Sequence, residues 1–237
     1  MDRPLAPHRI NLHDPDGTGL EPWDVIDPAD LVSGTPVQRG YLCDEIGGYI
    51  AGVWDCTAQT AHMSAYEVDE FMYLLDGSVV MVMPDGAEVE VKAHEAFVIP
   101  KGLKCQWKQP GYVRKIFMIL DAPDVLPAGN PALTRVTVPD LSGRTCPDGA
   151  ISLSRTNFTN AAGNLCVSVQ EHGAVVAAAT PACANQVIVV LQGDLTLTHQ
   201  GTAQHFAPGE AVYLPQGCIT GWHTVAGTRL LVSSYLS

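Results

Sequence analysis

Positive charge is scarce in this sequence: 13 lysines and arginines stand against 25 aspartates and glutamates, for a formal net charge of −12. Affinity for a phosphate backbone rests on Lys and Arg, so no nucleic-acid partner is expected. An anionic membrane surface is disfavoured by the same argument. Charged residues of both signs make up only 16% of the chain and hydrophobic ones 46%, a balance that excludes wholesale disorder. No apolar run approaches the roughly 20 residues that span a bilayer. The opening Met1-Asp2-Arg3-Pro4 lacks the apolar stretch of a secretory signal, so a cytoplasmic protein is expected. The seven cysteines, from Cys43 to Cys218, are odd in number, scattered, and contain no Cys-x-x-Cys pair. That excludes a disulfide framework and a zinc knuckle, and predicts reduced, mostly buried thiols. Also missing are a phosphate-binding glycine loop ahead of a helix, a Gly-x-Ser-x-Gly elbow and a His-Glu-x-x-His pair, so the familiar nucleotide-binding and hydrolase readings find no support.

What is present is an internal copy. Glu95-Ala-Phe-Val-Ile-Pro-Lys-Gly102 stands beside Glu210-Ala-Val-Tyr-Leu-Pro-Gln-Gly217, an offset of 115 residues. The same offset carries Cys105 to Thr220, Trp107 to Trp222 and Arg114 to Arg229. Upstream, Leu74-Leu-Asp-Gly77 matches Val190-Leu-Gln-Gly193 at an offset of 116, which a hairpin one residue shorter in the second copy explains. The 237 residues therefore read as two homologous domains in tandem.

Each copy reads as β-structure. Ser78 to Met83 and Ala87 to Val91 are short apolar or alternating runs joined by Pro84-Asp85-Gly86, a hairpin signal. Leu195 to Thr198 and Thr202 to Phe206 flank Gln200-Gly201 in the same way. Helical periodicity is nearly absent; one short turn is expected at Asp27, with Pro28 in the first helical position. Short strands punctuated by Gly and Pro point to barrels or sandwiches. The expected organisation is an N-terminal arm over residues 1–35, a first domain over 36–122, a linker with connecting strands over 123–150, and a second domain over 151–237.

The pattern Glu70-(six residues)-Gly77 followed by His94-(five residues)-Pro100-Lys-Gly102 resembles the two motif blocks of the cupin superfamily. The second copy repeats it as Gln186-(six residues)-Gly193 and Gly209-(five residues)-Pro215-Gln-Gly217. A tryptophan five residues after the last glycine of each block, Trp107 and Trp222, is similar to the ureidoglycine aminohydrolase-like cupins, a group that includes the ethanolamine-utilisation cupins. Gly52-Val-Trp54-Asp55 adds to the likeness. The resemblance runs over about Arg39 to Leu120, and less closely over Ser152 to Leu236. It implies an all-β fold of two tandem cupin jelly-roll barrels, commonly paired into dimers.

Metal-dependent cupins hold an ion with a His-x-His pair, a Glu just downstream and a third His after Pro-x-Gly. In the first copy only Glu70 is kept: the His-x-His slots fall on Met63 and Ala65, or on Ser64 and Tyr66, and the third on Cys105. In the second copy the Glu slot is Gln186, the last slot is Thr220, and the remaining slots fall between Ala179 and Ala182. No metal or other cofactor is expected. The alternative is one divalent Mn, Fe, Ni or Zn ion in the first barrel, held by Glu70, His62 through a shift of strand register, and Cys105. Without a metal, Glu70 needs another partner, such as Tyr66 or backbone N–H groups, because a lone buried carboxylate is costly. Cys105, near Lys101 and Lys104, is weighed as a thiolate but reads better as pocket lining. Trp107 and Trp54 are candidate walls, and the recurrent Arg114 and Arg229 suggest a shared structural ion pair at an interface, or a carboxylate anchor.

The expected function is binding of a small polar metabolite in the first barrel by Tyr66, Glu70, Cys105, Trp107 and His62. Gln186, Thr220 and Trp222 would form a degenerate pocket in a second barrel that serves stability and the interface of a homodimer. The competing readings are a metal-dependent hydrolase or aminohydrolase, a metal-free lyase or isomerase using Glu70 or Tyr66, and a ligand-free accessory protein.

Overall fold

The structure, a computed structural model, describes residues 5–10, 20–46, 48–138 and 151–237. Among these residues nearly everything regular is strand, 23 in all, with one short 3-10 turn at Pro28–Asp30. Asp27 caps that turn, its carboxylate accepting the Ala29 N–H at 2.9 Å, as its place ahead of Pro28 predicts. No helix among the described residues is long and apolar enough to cross a membrane.

The chain divides into two compact units, Asn11–Arg135, and Met1–Ile10 with Val136–Ser237. Each consists of two antiparallel sheets around its own apolar core, the layout of a jelly roll. In the first unit one sheet runs in the order Thr134–Arg135, Ala96–Ile99, Asp69–Asp76, Val113–Leu120, Tyr49–Cys56, Gln38–Ile46, Glu21–Pro22. The other is Glu88–Lys92, Ser78–Val82, Lys104–Gln109, Gln59–Ala61, Leu31–Gly34, with Ser64–Ala65 beside Lys104–Gln109. The second unit repeats the central strands: Ala211–Leu214, Asn185–Gln192, Thr228–Tyr235 and Leu165–His172 in one sheet, Val175–Pro181, Ile219–Thr224, Leu195–His199 and Thr202–Phe206 in the other.

Strand alternation decides which residues enter the barrel. Met72, Leu74, Val79, Met81, Phe97 and Phe117 form the core of the first unit, and Ile188, Val190, Leu195, Leu197, Val212 and Val232 occupy the matching places in the second. The intervening Phe71, Tyr73, Val187 and Val189 are also buried, which is why these strands read as continuous apolar runs. The glycines ending the first motif block, Gly77 and Gly193, have φ of +76° and +72°, and a Cβ at Gly77 would stand 1.9 Å from the Tyr112 carbonyl oxygen. The hairpins differ by one residue as the offsets require: Met83 pairs with Ala87 around Pro84-Asp85-Gly86, whereas His199 pairs with Thr202 around Gln200-Gly201.

The stretch expected as an N-terminal arm is divided between the units. Leu31–Gly34 pairs with Gln59–Ala61, Glu21–Pro22 pairs with Gln38–Ile46, and Trp23 and Ile26 pack on the first core, so residues 20–34 are barrel rather than arm. His8–Ile10 instead pairs with Ala211–Leu214 in the second unit. Thr134–Arg135 does the same for Ala96–Ile99 in the first. The two edge segments correspond: Arg9 lies opposite Val212 and Arg135 opposite Phe97, and they bond to the equivalent Glu210 (2.6 Å) and Glu95 (2.5 Å). The described cysteines carry free thiols, with Cys43, Cys56, Cys105 and Cys218 buried; Cys146, His13 and residues 139–150 of the expected linker lie outside the described residues.

Candidate functional site in the first barrel

Asp69–Asp76 and Val113–Leu120 are neighbouring strands, and each puts one charge among its inward-facing apolar residues. Glu70 shares a face with Met72 and Leu74, and Lys115 with Val113 and Phe117. Both are buried, with 2% and 8% of their surface exposed. Lys115 Nζ donates to Glu70 Oε1 at 2.7 Å and lies 3.3 Å from Met72 Sδ. The Tyr66 hydroxyl donates to Glu70 Oε2. Both carboxylate oxygens are thus engaged, one by an ammonium and one by a phenol.

Aromatic rings surround the ammonium. Lys115 Nζ is 4.6 Å from the centre of the Trp54 ring, 5.1 Å from Trp107 and 6.0 Å from Phe117. Trp54 and Trp107 meet edge to face at 6.3 Å, and Trp107 stacks on Phe97 at 6.4 Å. The indole N–H groups are satisfied away from the charge, Trp54 by Gln38 Oε1 (2.9 Å) and Trp107 by Gln109 Oε1 (3.0 Å). The ring faces therefore remain turned to the lysine. A groove of about 440 Å³ lined by Pro22, Trp23, Asp24 and Gln38 runs beside the Trp54 wall.

Burial, the Glu70 charge and the bond to it push the Tyr66 phenol well above its usual range, so at neutral pH it is a proton donor. Burial likewise pushes the Cys105 thiol up to about 11, which removes the thiolate reading. The cations that suggested a thiolate are directed elsewhere: Lys101 Nζ donates to the Ala122 carbonyl, and Lys104 is exposed.

Of the residues singled out by sequence, Tyr66, Glu70 and Trp107 come together around Lys115, and Cys105 belongs to the same buried cluster. His62 does not join them. It is exposed, and its backbone N–H bonds to the Asp30 carbonyl. Arg114 and Arg229 each form a structural ion pair, as the repeat suggests, each within its own barrel, with Asp55 (3.1 Å) and Glu171 (3.0 Å). Lys115 is the residue that sequence reasoning missed. Its signal was a single lysine two residues before Phe117 in an otherwise apolar inward-facing series.

The metal set fails on the same geometry. Both Glu70 oxygens are taken by protein donors, Met63 offers only a soft thioether unsuited to Mn, Fe, Ni or Zn, Ala65 has no donor, and no group of three His, Cys, Asp or Glu side chains suited to a metal occurs among the described residues. The residues present do not fit the ion that metal-dependent cupins hold.

Residues 45–117 match the family model of the EutQ-like cupin domain. A protein of unknown function from Pseudomonas syringae pv. tomato, of the DUF861 family, superposes with a TM-score of 0.73 at 18% identity, covering 97% of this chain and 99% of that one. The fold is that of the cupins. The E. coli protein Ylba, also of the DUF861 family, is similar at a TM-score of 0.58 and 9% identity, over 96% and 93% of the two chains. A salicylate 1,2-dioxygenase from Pseudaminobacter salicylatoxidans gives 0.56 at 12% identity, over 84% and 76%. No curated protein matches the chain. In this chain the Glu70 slot faces an ammonium, and in the second barrel the corresponding place is neutral: Gln186 stands for Glu70 and Leu230 for Lys115.

Proposed function

We propose that this chain is a metal-free cupin whose first barrel binds a small polar metabolite at Tyr66, Glu70, Lys115 and Trp107. The observation that carries the reading is the contrast between the barrels at one pair of positions. A buried ion pair is a poor source of stability, and exchanging such pairs for well-packed apolar residues is often neutral or stabilising. The second barrel folds around Leu230 and Gln186 at those positions, so the architecture does not need the charges. Their retention in the first barrel points to a ligand. The ammonium has three donors and gives one to Glu70 and one, more weakly, to the Met72 sulfur, leaving the third for a carbonyl or carboxylate oxygen. The Lys115–Glu70 pair is net neutral, which favours an uncharged or zwitterionic molecule, and Trp54 and Trp107 supply flat walls for its apolar part.

A second reading, a metal-free lyase or isomerase, is favoured by the Tyr66–Glu70 hydrogen bond. A neutral phenol and a carboxylate in contact are an acid and a base in one site. Hydrolase or aminohydrolase chemistry through a metal lacks its ligand set. A cytoplasmic homodimer remains the expected setting, to be checked by sedimentation.

The test combines metal analysis with ligand screening. Protein purified without chelator should contain far less than one transition metal per chain. A panel of small zwitterions, hydroxy acids and oxo acids should contain compounds that raise the melting temperature of the wild type and not of the Glu70→Gln, Lys115→Leu double variant. Stoichiometric metal lost on Glu70→Ala, or identical ligand responses in wild type and double variant, would overturn the reading.

A further inference from the structure

The second barrel carries its own unmet polar groups. The Thr220 hydroxyl, on a residue 1% exposed, and His172 Nε2, on a residue 6% exposed, are fully buried and have no hydrogen-bond partner among the described residues. A buried polar group left unsatisfied costs about 1–3 kcal/mol. Valine has nearly the shape of threonine without the hydroxyl, so nothing in packing alone requires threonine here. Thr220 stands where the first barrel has Cys105, two residues before Trp222 on the same inward face. Gln186 stands in the Glu70 slot, two residues before the core residue Ile188.

The side chains between these positions have been trimmed. Tyr66, which fills the space between Cys105 and Glu70 in the first barrel, is replaced by Ala182. The backbone equivalence is firm: the Ala182 N–H donates to the Cys218 carbonyl and the Ala182 carbonyl accepts from the Gly217 N–H, as the Tyr66 N–H and carbonyl do with Leu103 and Gly102. Gln170, opposite Leu230, replaces Trp54, which is opposite Lys115. Val232 replaces Phe117. Bulk is thus removed at the position that separated the two slots, while hydrogen-bonding groups are kept in the slots themselves.

We propose that the second barrel is a separate binding site for a small uncharged molecule bearing a carboxamide-type group, held by Thr220 and Gln186 beside Trp222. The chemistry follows from the lining. Ser168, Gln170, Gln186 and Thr220 carry no formal charge, and burial lowers the pKa of His172 and so favours the neutral ring. A charged ligand would be left without a counter-ion. The Gln186 carboxamide offers a donor beside an acceptor, and the Thr220 hydroxyl offers both, so the matching group presents an acceptor beside a donor. A primary carboxamide is the simplest group that does so. This site is independent of the Lys115–Glu70 site.

The experiment uses the full chain with indole-nitrogen-labelled tryptophan, the Trp222 resonance being assigned with Trp222→Phe. The probe is acetamide, with acetate as its charged counterpart of equal size. Acetamide should shift the Trp222 signal saturably, with a Kd on the order of 1 mM, and acetate should not. Thr220→Val should weaken this at least about tenfold, which is 1.4 kcal/mol, without lowering the melting temperature, because the hydroxyl loses no protein partner. Thr220→Ser should retain binding, and Glu70→Gln should leave it unchanged. A linear, non-saturating shift, an equal response to acetate, or full binding by Thr220→Val would overturn the proposal. So would a clear loss of stability in Thr220→Val, which would mean that the hydroxyl serves a structural water.

Discussion

In the first barrel, neighbouring strands present Glu70 and Lys115 to each other; in the second, the matching strands present Gln186 and Leu230. The backbone hydrogen bonds around Tyr66 recur around Ala182. The contrast teaches what the jelly roll requires of its interior. It requires apolar residues at alternating positions, and it tolerates one charge on each of two adjacent strands when they meet at 2.7 Å and a phenol completes the carboxylate. It equally tolerates neutral polar groups with no partner, at some cost in stability. Each barrel departs from a purely apolar core, and each departs differently.

The largest expected effect comes from breaking the charged barrel on one side only. Lys115→Met leaves Glu70 buried beside apolar groups and should cost about 3–5 kcal/mol in urea unfolding. Leu230→Met, the same replacement in the neutral barrel, should cost less than about 1.5 kcal/mol. If the two losses are equal, Lys115 and Glu70 are not coupled as described. Importing the neutral pair whole sharpens the comparison: Glu70→Gln with Lys115→Leu should recover stability to within about 1 kcal/mol of wild type or exceed it. That variant should lose ligand responses in the first barrel alone.

Both barrels should lose stability on the alkaline side, since burial raises the pKa of Cys105 in the first and of Cys218 in the second, and the second should add an acid limb. In the first, the folded state raises the Tyr66 phenol from its ordinary 10.0 and the Cys105 thiol from 9.0 to about 11. The unfolded chain ionises first, so stability present below pH 9 is lost as pH rises through the folded values. In the second, burial lowers His172 below its ordinary 6.5, so its contribution is present above pH 6.5 and is lost as pH falls. Tyr66→Phe should flatten the alkaline limb and His172→Phe the acid limb of a stability–pH curve; a limb unchanged by its substitution would refute that assignment. The smallest difference concerns the edge segments. Arg135→Ala should cost less than about 1 kcal/mol, as exposed ion pairs do. Arg9→Ala should cost slightly more, because the Arg9 guanidinium also lies 4.2 Å over the Phe206 ring. Equal melting temperatures for the two variants would remove that distinction.

Much of the fold was legible because its signals are local and occur twice. The Pro-x-Gly blocks, the turn glycines and the hairpin shortened at Gln200-Gly201 all lie within a few residues of what they control. The edge segments escaped notice although Arg9-Ile10 and Arg135-Val136 are alike in sequence, because they stand 126 residues apart and not 115. Of the site, Glu70 and Tyr66 could be marked by their places in the motif and by the cost of an unpaired carboxylate. Lys115 lies in no motif, and a lysine in a strand reads as solvent-facing until its register is known. His62 misled for the converse reason: its closeness in sequence to the expected slots did not survive the actual path of the chain.

By itself the sequence determined the duplication, the β-class, the turn positions and the residues that stand in the His slots of the motif, since each depends on residue identity and short-range spacing. Only the tertiary structure decided which charge meets Glu70. Its partner is 45 residues away, and strand pairing, with four further strands folded in between, is what places Lys115 against it. The two unmet polar groups of the second barrel were hidden for the same reason, because being unpartnered is a property of everything that surrounds a side chain and not of the side chain itself.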